Sequence, residues 1–231
     1  MLLFSLECSA TAASAAIYRD EKLLGEEFLN VPQTHSVTLL PMAKSLLEHT
    51  GISPAQIDYY AVSRGPGSFT GLRIGIAAIK GLAFPDNTPC IGVSTPEAIA
   101  YGLLGFEGTV IPMMDARCGQ VYTALFQGKD GRLTRLSEDE ALPLSELKEK
   151  LKSCTGPLWL CGDGAHLGLA AWGEELPVRM APAHLCCQRA SAVGLAAMQH
   201  LGEAVSPAAL VPCYLRPANA MTLAERQHKA E

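Results

Sequence analysis

The sequence has little charge. Only 18% of its 231 residues are Asp, Glu, Lys or Arg, and the net charge is −5. A protein that holds nucleic acid by itself needs clustered Lys and Arg to contact phosphates, but this sequence contains no basic run. The composition therefore argues against a stand-alone RNA- or DNA-binding protein. It also leaves apolar surface to be covered, part of it against a partner.

The sequence also lacks the features of a secreted or membrane-bound protein. Its eight cysteines form no Cys-x-x-Cys pair, and most lie in apolar surroundings that favour buried, reduced thiols. The first residues carry no basic leader. No apolar run approaches the roughly 18 residues that a membrane span requires. We therefore expect a cytoplasmic protein that does not bind membranes.

Apolar runs and helical spacing alternate along the chain and predict an α/β protein. Three strands come first, followed by a helix that Thr34 or Ser36 caps and Gly51 ends; Pro41 is tolerated there if it lies in the first turn. The pattern restarts after about residue 105, and 120–127 is predicted to be one strand. We expect two related lobes, at 1–106 and 107–231, the second with an irregular tail. Further helices are predicted at 71–84, 95–104, 144–151 and 190–201.

A glycine-rich loop between a predicted strand and a predicted helix is the strongest local signal. It reads Gly-Pro-Gly-Ser-Phe-Thr-Gly over 65–71. Exposed amides at the start of a helix attract anions, and Arg64 and Arg73 lie nearby. The spacing matches neither a dinucleotide fingerprint nor a P-loop. Three interpretations stay open: a tight turn that lets the helix pack closely, a partner contact, and a nucleotide loop, which would be formed by Gly65, Gly67, Ser68 and Gly71.

Two glycines lie inside the predicted helix that follows this loop. Gly75 and Gly81 each cost about 1 kcal/mol relative to alanine, against a typical net stability of about 5–15 kcal/mol. Close approach of another backbone or helix would offset that cost. The spacing does not decide whether that neighbour belongs to this chain or to a partner.

The segment Ser-Arg-Gly-Pro-Gly-Ser-Phe-Thr-Gly-Leu-Arg-Ile-Gly, from Ser63 to Gly75, resembles the signature of the TsaB (YeaZ) family. The resemblance covers nearly the whole chain, although residues 128–210 carry little of it. Other segments that carry it are Glu7-Cys8-Ser9, His35-Ser36 with Leu39-Leu40-Pro41, Lys80-Gly81-Leu82-Ala83, Asp115-Ala116-Arg117 with Val121-Tyr122, and Pro212 with Tyr214-Leu215-Arg216.

The resemblance implies an actin/hexokinase/Hsp70-like (ASKHA) fold with two lobes, each a mixed sheet flanked by helices. It implies a non-catalytic subunit that pairs with the catalytic subunit TsaD and the ATPase TsaE. That assembly transfers a threonylcarbamoyl group to the adenosine next to the tRNA anticodon, so tRNA is contacted only through the complex. The two amino-terminal helices would contact TsaD, or form a homodimer when TsaD is absent. The residues expected in this interface are His35, Leu39, Lys44, Arg73, Gly75, Ala78 and Lys80.

The resemblance also identifies what this chain lacks. TsaD-like proteins carry a His-x-Glu-x-His metal motif, and the matching segment here is Thr95-Pro96-Glu97-Ala98-Ile99. One carboxylate cannot hold a transition metal, which takes three or four ligands. We expect no metal, no catalytic residue and no cofactor in the isolated chain, with a nucleotide only at an interface with TsaD. The alternative is an actin-fold ATP-dependent or metallopeptidase-like enzyme acting alone, which bound metal or nucleotide would reveal.

Two carboxylates near possible nucleotide loops leave further alternatives open. Actin-like ATPases use an Asp at the end of the first strand to organise Mg²⁺, whereas this chain has Glu7, which is one methylene longer. Glu7 would otherwise accept hydrogen bonds from backbone amides. The second carboxylate is Asp163. Its segment, Gly162-Asp163-Gly164, lies where a second nucleotide loop would be expected, and it is also typical of a plain turn.

Overall fold

Two β-sheets, one from each half of the chain, form the framework of the computed structural model, which describes residues 1–216. The strands of the first sheet are β1 (Leu2–Glu7), β2 (Ala13–Arg19), β3 (Lys22–Leu29), β4 (Tyr59–Gly65) and β5 (Cys90–Ser94). They lie in the order β3-β2-β1-β4-β5. β1 pairs antiparallel with β2 and parallel with β4. The sheet therefore has an antiparallel meander, β1 to β3, on one side and the parallel strands β4 and β5 on the other.

Helices cover both faces of this first sheet. The helices are α1 (His35–Thr50), α2 (Phe69–Ala83), α3 (Thr95–Tyr101) and α6 (Ala190–Ala197). Side chains of α1 and α2, such as Leu39 and Ile79, pack with Phe4 and Leu6 of β1. α3 and α6 cover the opposite face. Because both faces are buried, β1 and β4 are nearly continuous apolar runs, as expected for strands of a covered sheet.

α1 begins after Thr34, whose side chain makes no capping hydrogen bond, and it ends at Gly51 as predicted. Gly51 adopts a left-handed conformation, φ 65°, and its amide closes the last turn. Pro41 does not lie in the first turn: it is the seventh residue of the helix. Pro41 is exposed, so its ring lies on the surface of α1 and does not disturb the core.

The second sheet repeats the plan of the first. Its strands are β6 (Gly108–Asp115), β7 (Gln120–Thr123), β8 (Phe126–Lys129), β9 (Arg132–Arg135), β10 (Glu140–Pro143), β11 (Leu158–Cys161) and β12 (Val178–Met180). Its helices are α4 (Leu144–Leu151) and α5 (Ala165–Trp172). β6 pairs antiparallel with β7 and parallel with β11.

The prediction of one strand over 120–127 is wrong. β7 and β8 pair with different parts of β6, and the chain between them leaves the ladder. There the amide of Leu125 donates to Ser137 Oγ at 3.0 Å, which replaces the missing ladder bond. The sequence pattern also gave no indication of α5.

The chain passes from the first sheet to the second between α3 and β6, and the predicted lobe boundary at residue 106 lies in this connection. The assignment of everything after 106 to the second lobe needs correction. α6 packs against β1, β2 and β4, and Val193 and Ala196 lie beside Leu3 and Ala16 in one core. At α6 the chain returns to the first lobe, because the face of the first sheet opposite α1 and α2 needs an apolar cover. The predicted tail beyond residue 216, with His228, lies outside the described residues.

Within residues 1–216, the longest helices are still too short or too polar to traverse a lipid bilayer.

Candidate functional site

Glu7 is the last residue of β1 and is fully buried. It accepts hydrogen bonds from the Ser63 hydroxyl and from the Ser9 amide, at 2.5 Å. Burial raises the pKa of this carboxyl, although the hydrogen bonds from Ser63 and Ser9 oppose the shift. A carboxylate that organises Mg²⁺ must present free oxygens to the ion and its waters. Glu7 instead uses them inside the protein, so it does not fit that role.

The glycine loop packs against the end of β1. A Cβ at Gly67 would lie 2.6 Å from the Ser9 carbonyl oxygen, and one at Gly71 would collide with the carbonyl of Cys8. The loop amides are also used: Ser68 N donates to the Ser9 carbonyl at 2.7 Å, and Ser68 Oγ accepts from the Gly71 amide at 3.2 Å. These contacts support the interpretation of a turn that lets α2 approach β1 closely.

Glu97, the remaining residue of the metal motif, is held in an ion network. Arg135 of β9 contacts it at 3.2 Å, and His200 Nε2 lies 3.0 Å from its other oxygen. Arg135 also contacts Asp139 at 2.9 Å. Both carboxylate oxygens therefore already have cationic or donor partners. Across residues 1–216, no group of three or more His, Cys, Asp or Glu side chains is arranged to hold a metal ion.

A polar cavity of about 400 Å³ lies between the lobes. Its walls include Ser9, Gly67, Asp115, Arg117 and Asp163. Ser9 Oγ is buried without a hydrogen-bond partner within the described chain. Burial raises the pKa of Asp163, and the hydrogen bond from Gln188 opposes this. Asp163, from the 162–164 turn, and Asp115 bring two acidic groups to this cavity, which disfavours a polyphosphate there.

The surface of α1 and α2 carries an unusual number of exposed apolar residues. Val37 and Leu40 of α1 are 68% and 51% exposed, and Phe84, which follows α2, is 74% exposed. Gly81 of α2 is exposed, and apart from its own helix backbone no atom of residues 1–216 lies within 4 Å of where a Cβ would be. Helical spacing places Val37, Leu40 and Pro41 on one face of α1. We call the exposed side chains of these two helices, together with Phe84, the α1–α2 face.

An apolar groove of about 1020 Å³ adjoins this face. Leu40 and Pro41 of α1, Leu82 of α2, and Ile52 in the connection after α1 contribute to its walls. Among the described residues that line the groove, the charged ones are Lys44 and Glu48, which pair with each other at 3.7 Å. The groove therefore continues the apolar character of the α1–α2 face.

The structure places the predicted interface residues in two different environments. Leu39 and Gly75 are buried, and a Cβ at Gly75 would lie 2.7 Å from Cys8 Sγ. These two residues pack within the chain because their side of each helix faces β1 and β4, so a partner cannot contact them. The exposed members are Lys44 and Arg73.

The other predicted interface residues already have contacts within the chain. Lys80 donates to the Ala208 carbonyl at 3.1 Å, and Ala78 packs on the core. His35 Nε2 lies 2.7 Å from the Ala10 carbonyl oxygen. The apolar members of the face, Val37 and Phe84, were not predicted, although their helical spacing could have identified them.

Sequence reasoning also missed a long-range aromatic contact at the start of α2. Phe69 stacks on Tyr214 with ring centroids 4.7 Å apart, and Arg73 lies 3.9 Å over the Phe69 ring. Arg73 Nε donates to the Tyr214 hydroxyl at 3.1 Å. Because these residues are more than a hundred positions apart, no local pattern could have joined them.

The two lobes, each built on a mixed sheet with covering helices, define an actin-like (ASKHA) α/β protein. The activator of 2-hydroxyisocaproyl-CoA dehydratase from Clostridium difficile shares this fold, with a TM-score of 0.50, 13% identity, and 88% of this chain and 96% of that chain covered. A solved structure from Pseudomonas aeruginosa, described as similar to the peptidase YEAZ, matches with a TM-score of 0.80 and 28% identity over 93% of this chain and 99% of its own.

Sequence comparison is more specific. Residues 29–154 match the family described as "TsaD: tRNA N6-adenosine threonylcarbamoyltransferase". The tRNA threonylcarbamoyladenosine biosynthesis protein TsaB of Bacillus subtilis (strain 168) is 31% identical over 95% of this chain and 96% of its own length. The chain belongs to the TsaB (YeaZ) family, as the resemblance of residues 63–75 predicts.

Proposed function

We propose that this chain is a non-catalytic subunit in the biosynthesis of threonylcarbamoyladenosine in tRNA. The names of its TsaB relatives support a role in that pathway. In this proposal the chain pairs with a TsaD-type catalytic subunit, and a TsaE-type ATPase joins the assembly. tRNA is bound mainly by the partners, because the net charge of −5 gives this chain little general affinity for phosphates.

The observation that carries the pairing is the exposed apolar α1–α2 face. Val37, Leu40 and Phe84 are exposed at levels that cost free energy in water, and Leu40 lines the apolar groove together with Pro41 and Leu82. Exposed apolar surface of this kind is typical of an interaction site. Gly81 adds a place where another helix could approach the backbone of α2 closely. A stable interface of standard size would bury about 800 Å² on each partner. The same face would support a homodimer when the catalytic subunit is absent.

The non-catalytic part of the proposal is supported by how the carboxylates are used. Glu7 is buried and accepts bonds from Ser63 and Ser9, and Glu97 is engaged by Arg135 and His200. Each of their four oxygens already has a hydrogen-bond partner, which disfavours a role in organising a metal ion. We therefore assign no catalytic residue and no resident cofactor to the isolated chain, and we place any nucleotide at an interface with the catalytic subunit.

Capture of a TsaD-type protein from the same organism tests the pairing. Leu40→Asp should reduce capture more than ten-fold, because a buried, unpaired carboxylate is costly at an interface. Leu136→Asp is the matched control: Leu136 is 53% exposed, against 51% for Leu40, but it lies in the second lobe. Both variants should unfold at the wild-type temperature. Equal capture by the two variants would place the interface elsewhere.

Two further measurements test the remaining parts. Light scattering of the isolated chain should show a dimer that Leu40→Asp dissociates, and a monomer at high protein concentration would contradict the homodimer. Metal and nucleotide analysis of the purified chain should find neither in stoichiometric amount. Stoichiometric metal or ATP turnover by the lone chain would overturn the non-catalytic assignment.

A further inference from the structure

A small cavity lies where the start of α2, the β6–β7 turn and the segment after residue 210 meet. Its volume is about 180 Å³. Three of its ten lining residues are aromatic, in a chain with only 6% aromatic residues. Among the described residues that line it, the charged ones are both cationic. The functional side chains of this cavity are Phe69, Arg117, Tyr122, Tyr214 and Arg216.

The aromatic part of the cavity is held rigidly. Phe69 and Tyr214 stack at 4.7 Å with an angle of 30° between their planes. Arg73 fixes both rings, since its guanidinium covers Phe69 and its Nε donates to the Tyr214 hydroxyl. Tyr214 stays 38% exposed. A fixed and partly exposed ring loses little freedom when a flat ligand stacks on it.

The cationic part is formed by the β6–β7 turn and the residue that reaches it. Arg117 and Cys118 have left-handed backbones, φ 67° and 53°, which are unfavourable for side chains other than glycine. Such strain persists most often at functional positions. Arg117 donates to Asp115 at 3.2 Å while staying 85% exposed, and Arg216 Nη1 donates to the Ala116 carbonyl at 2.9 Å. Arg216 has no ion pair among the residues that the structure describes.

The neighbouring cleft helps to define the ligand. Asp115 and Asp163 line the larger cavity between the lobes, whereas none of residues 1–216 brings a carboxylate to this smaller one. Arg117 lines both cavities, whereas Arg216 lines the smaller one and not the larger one, so a phosphate is favoured on the side of Arg216. Guanidinium groups beside aromatic faces are the usual combination for one nucleotide of a single strand, because the phosphate binds the fork and the base stacks.

We propose that this cavity binds one nucleotide of a single-stranded RNA segment, with Arg117 and Arg216 on phosphates and the aromatic rings against the base. The proposal rests on the proposed function, in which tRNA is the substrate of the assembly. It adds a specific local contact to an otherwise acidic chain. With two phosphate contacts, binding should be weak at physiological salt.

Titration of the full chain with a fluorescent stem–loop RNA tests this at low salt. Two phosphate contacts predict a slope of about −1.4 for log affinity against log salt, and Arg117→Ala and Arg216→Ala should each reduce it by about 0.7. Arg132→Ala removes the same charge from β9, which does not line the cavity, and should leave the slope unchanged. Tyr214→Leu should weaken binding about ten-fold, while Tyr214→Phe keeps the stacking ring and should retain most of it.

Three outcomes would overturn the proposal. The first is that a fully paired duplex of the same sequence binds with the same affinity as the stem–loop. The second is that AMP saturates the site with the affinity of the stem–loop. The third is that Arg216→Ala and Arg132→Ala give equal slopes of log affinity against log salt. Thermal unfolding of each variant separates loss of binding from loss of fold. If RNA binding fails while the TsaD-type protein is still captured, the cavity assignment is wrong and the proposed function stands.

Discussion

Gly75 and Gly81 lie in the same helix, six residues apart, and the structure predicts opposite effects when each is changed to alanine. Either substitution gains about 1 kcal/mol of helix propensity. At Gly81 the new methyl meets no atom within 4 Å, so the full gain of about 1 kcal/mol should appear in the free energy of unfolding.

At Gly75 the new methyl would lie 2.7 Å from Cys8 Sγ and 3.2 Å from Val62 Cγ2. Overpacking of a tight core costs about 1–3 kcal/mol, which exceeds the propensity gain and leaves a net loss of about 1 kcal/mol. The two variants should therefore differ by about 2 kcal/mol. Gly75→Leu should lose much more, and it should impair folding at least as strongly as pairing.

Urea denaturation provides the measurement. With an m-value of about 2–3 kcal/mol/M, a difference of about 2 kcal/mol separates the unfolding midpoints of the variants by roughly 0.7–1 M. The double variant Cys8→Ala/Gly75→Ala is the internal control. Removing the sulfur makes room for the methyl, so the two changes should show a coupling energy of about 1 kcal/mol. If Gly75→Ala is as stable as Gly81→Ala, close packing of α2 on β1 does not explain this glycine.

Three further predictions concern buried and capping groups. Burial raises the pKa of Glu7 above 4.5, so the wild type loses stability as the pH rises through the folded value; Glu7→Gln should abolish that loss in unfolding measurements from acidic to neutral pH. For His200, burial lowers the pKa, but the hydrogen bonds to Glu97 and Glu203 have the larger effect, so the folded pKa lies above the ordinary value. Its stabilising contribution should be complete below that value and should fall as the pH rises through the folded pKa, a dependence that His200→Gln removes. Ser68→Ala should cost about 1 kcal/mol in chemical denaturation, because Ser68 caps α2, and Ser68→Asp should restore it.

Local patterns predicted most of the first lobe because short-range physics determines it. Gly51 ends α1 because a left-handed residue there closes the last turn. The glycine loop was placed correctly between β4 and α2. The choice among its possible roles needed the structure, because the atoms that approach Gly67 and Gly71 belong to Ser9 and Cys8, far away in sequence.

The parts that sequence reasoning missed depend on distant residues. α6 was expected in the second lobe, yet it covers the first sheet because that sheet has two apolar faces to bury. Glu97 was recognised as an isolated carboxylate, but its partners Arg135 and His200 follow no spacing rule. Leu39 has the helical spacing of an amphipathic face, and periodicity alone does not distinguish a face on the core from a face on a partner.

The ion network at Glu97 connects these observations. Arg135 comes from the second lobe, whereas Glu97 lies in α3 and His200 follows α6, so the network ties the second lobe to two helices that cover the first sheet. Removing one member of a half-buried network leaves its partners unpaired, which costs more than the bond itself is worth. Arg135→Met should therefore be more destabilising than Glu97→Gln, because it takes the guanidinium from two carboxylates at once: Asp139 loses its cation and Glu97 keeps only His200. Equal losses from the two variants would show that a single bond matters here. A carboxylate that serves lobe-to-lobe contact in this way has its charge committed to structure, which is what the proposed non-catalytic role requires of Glu97.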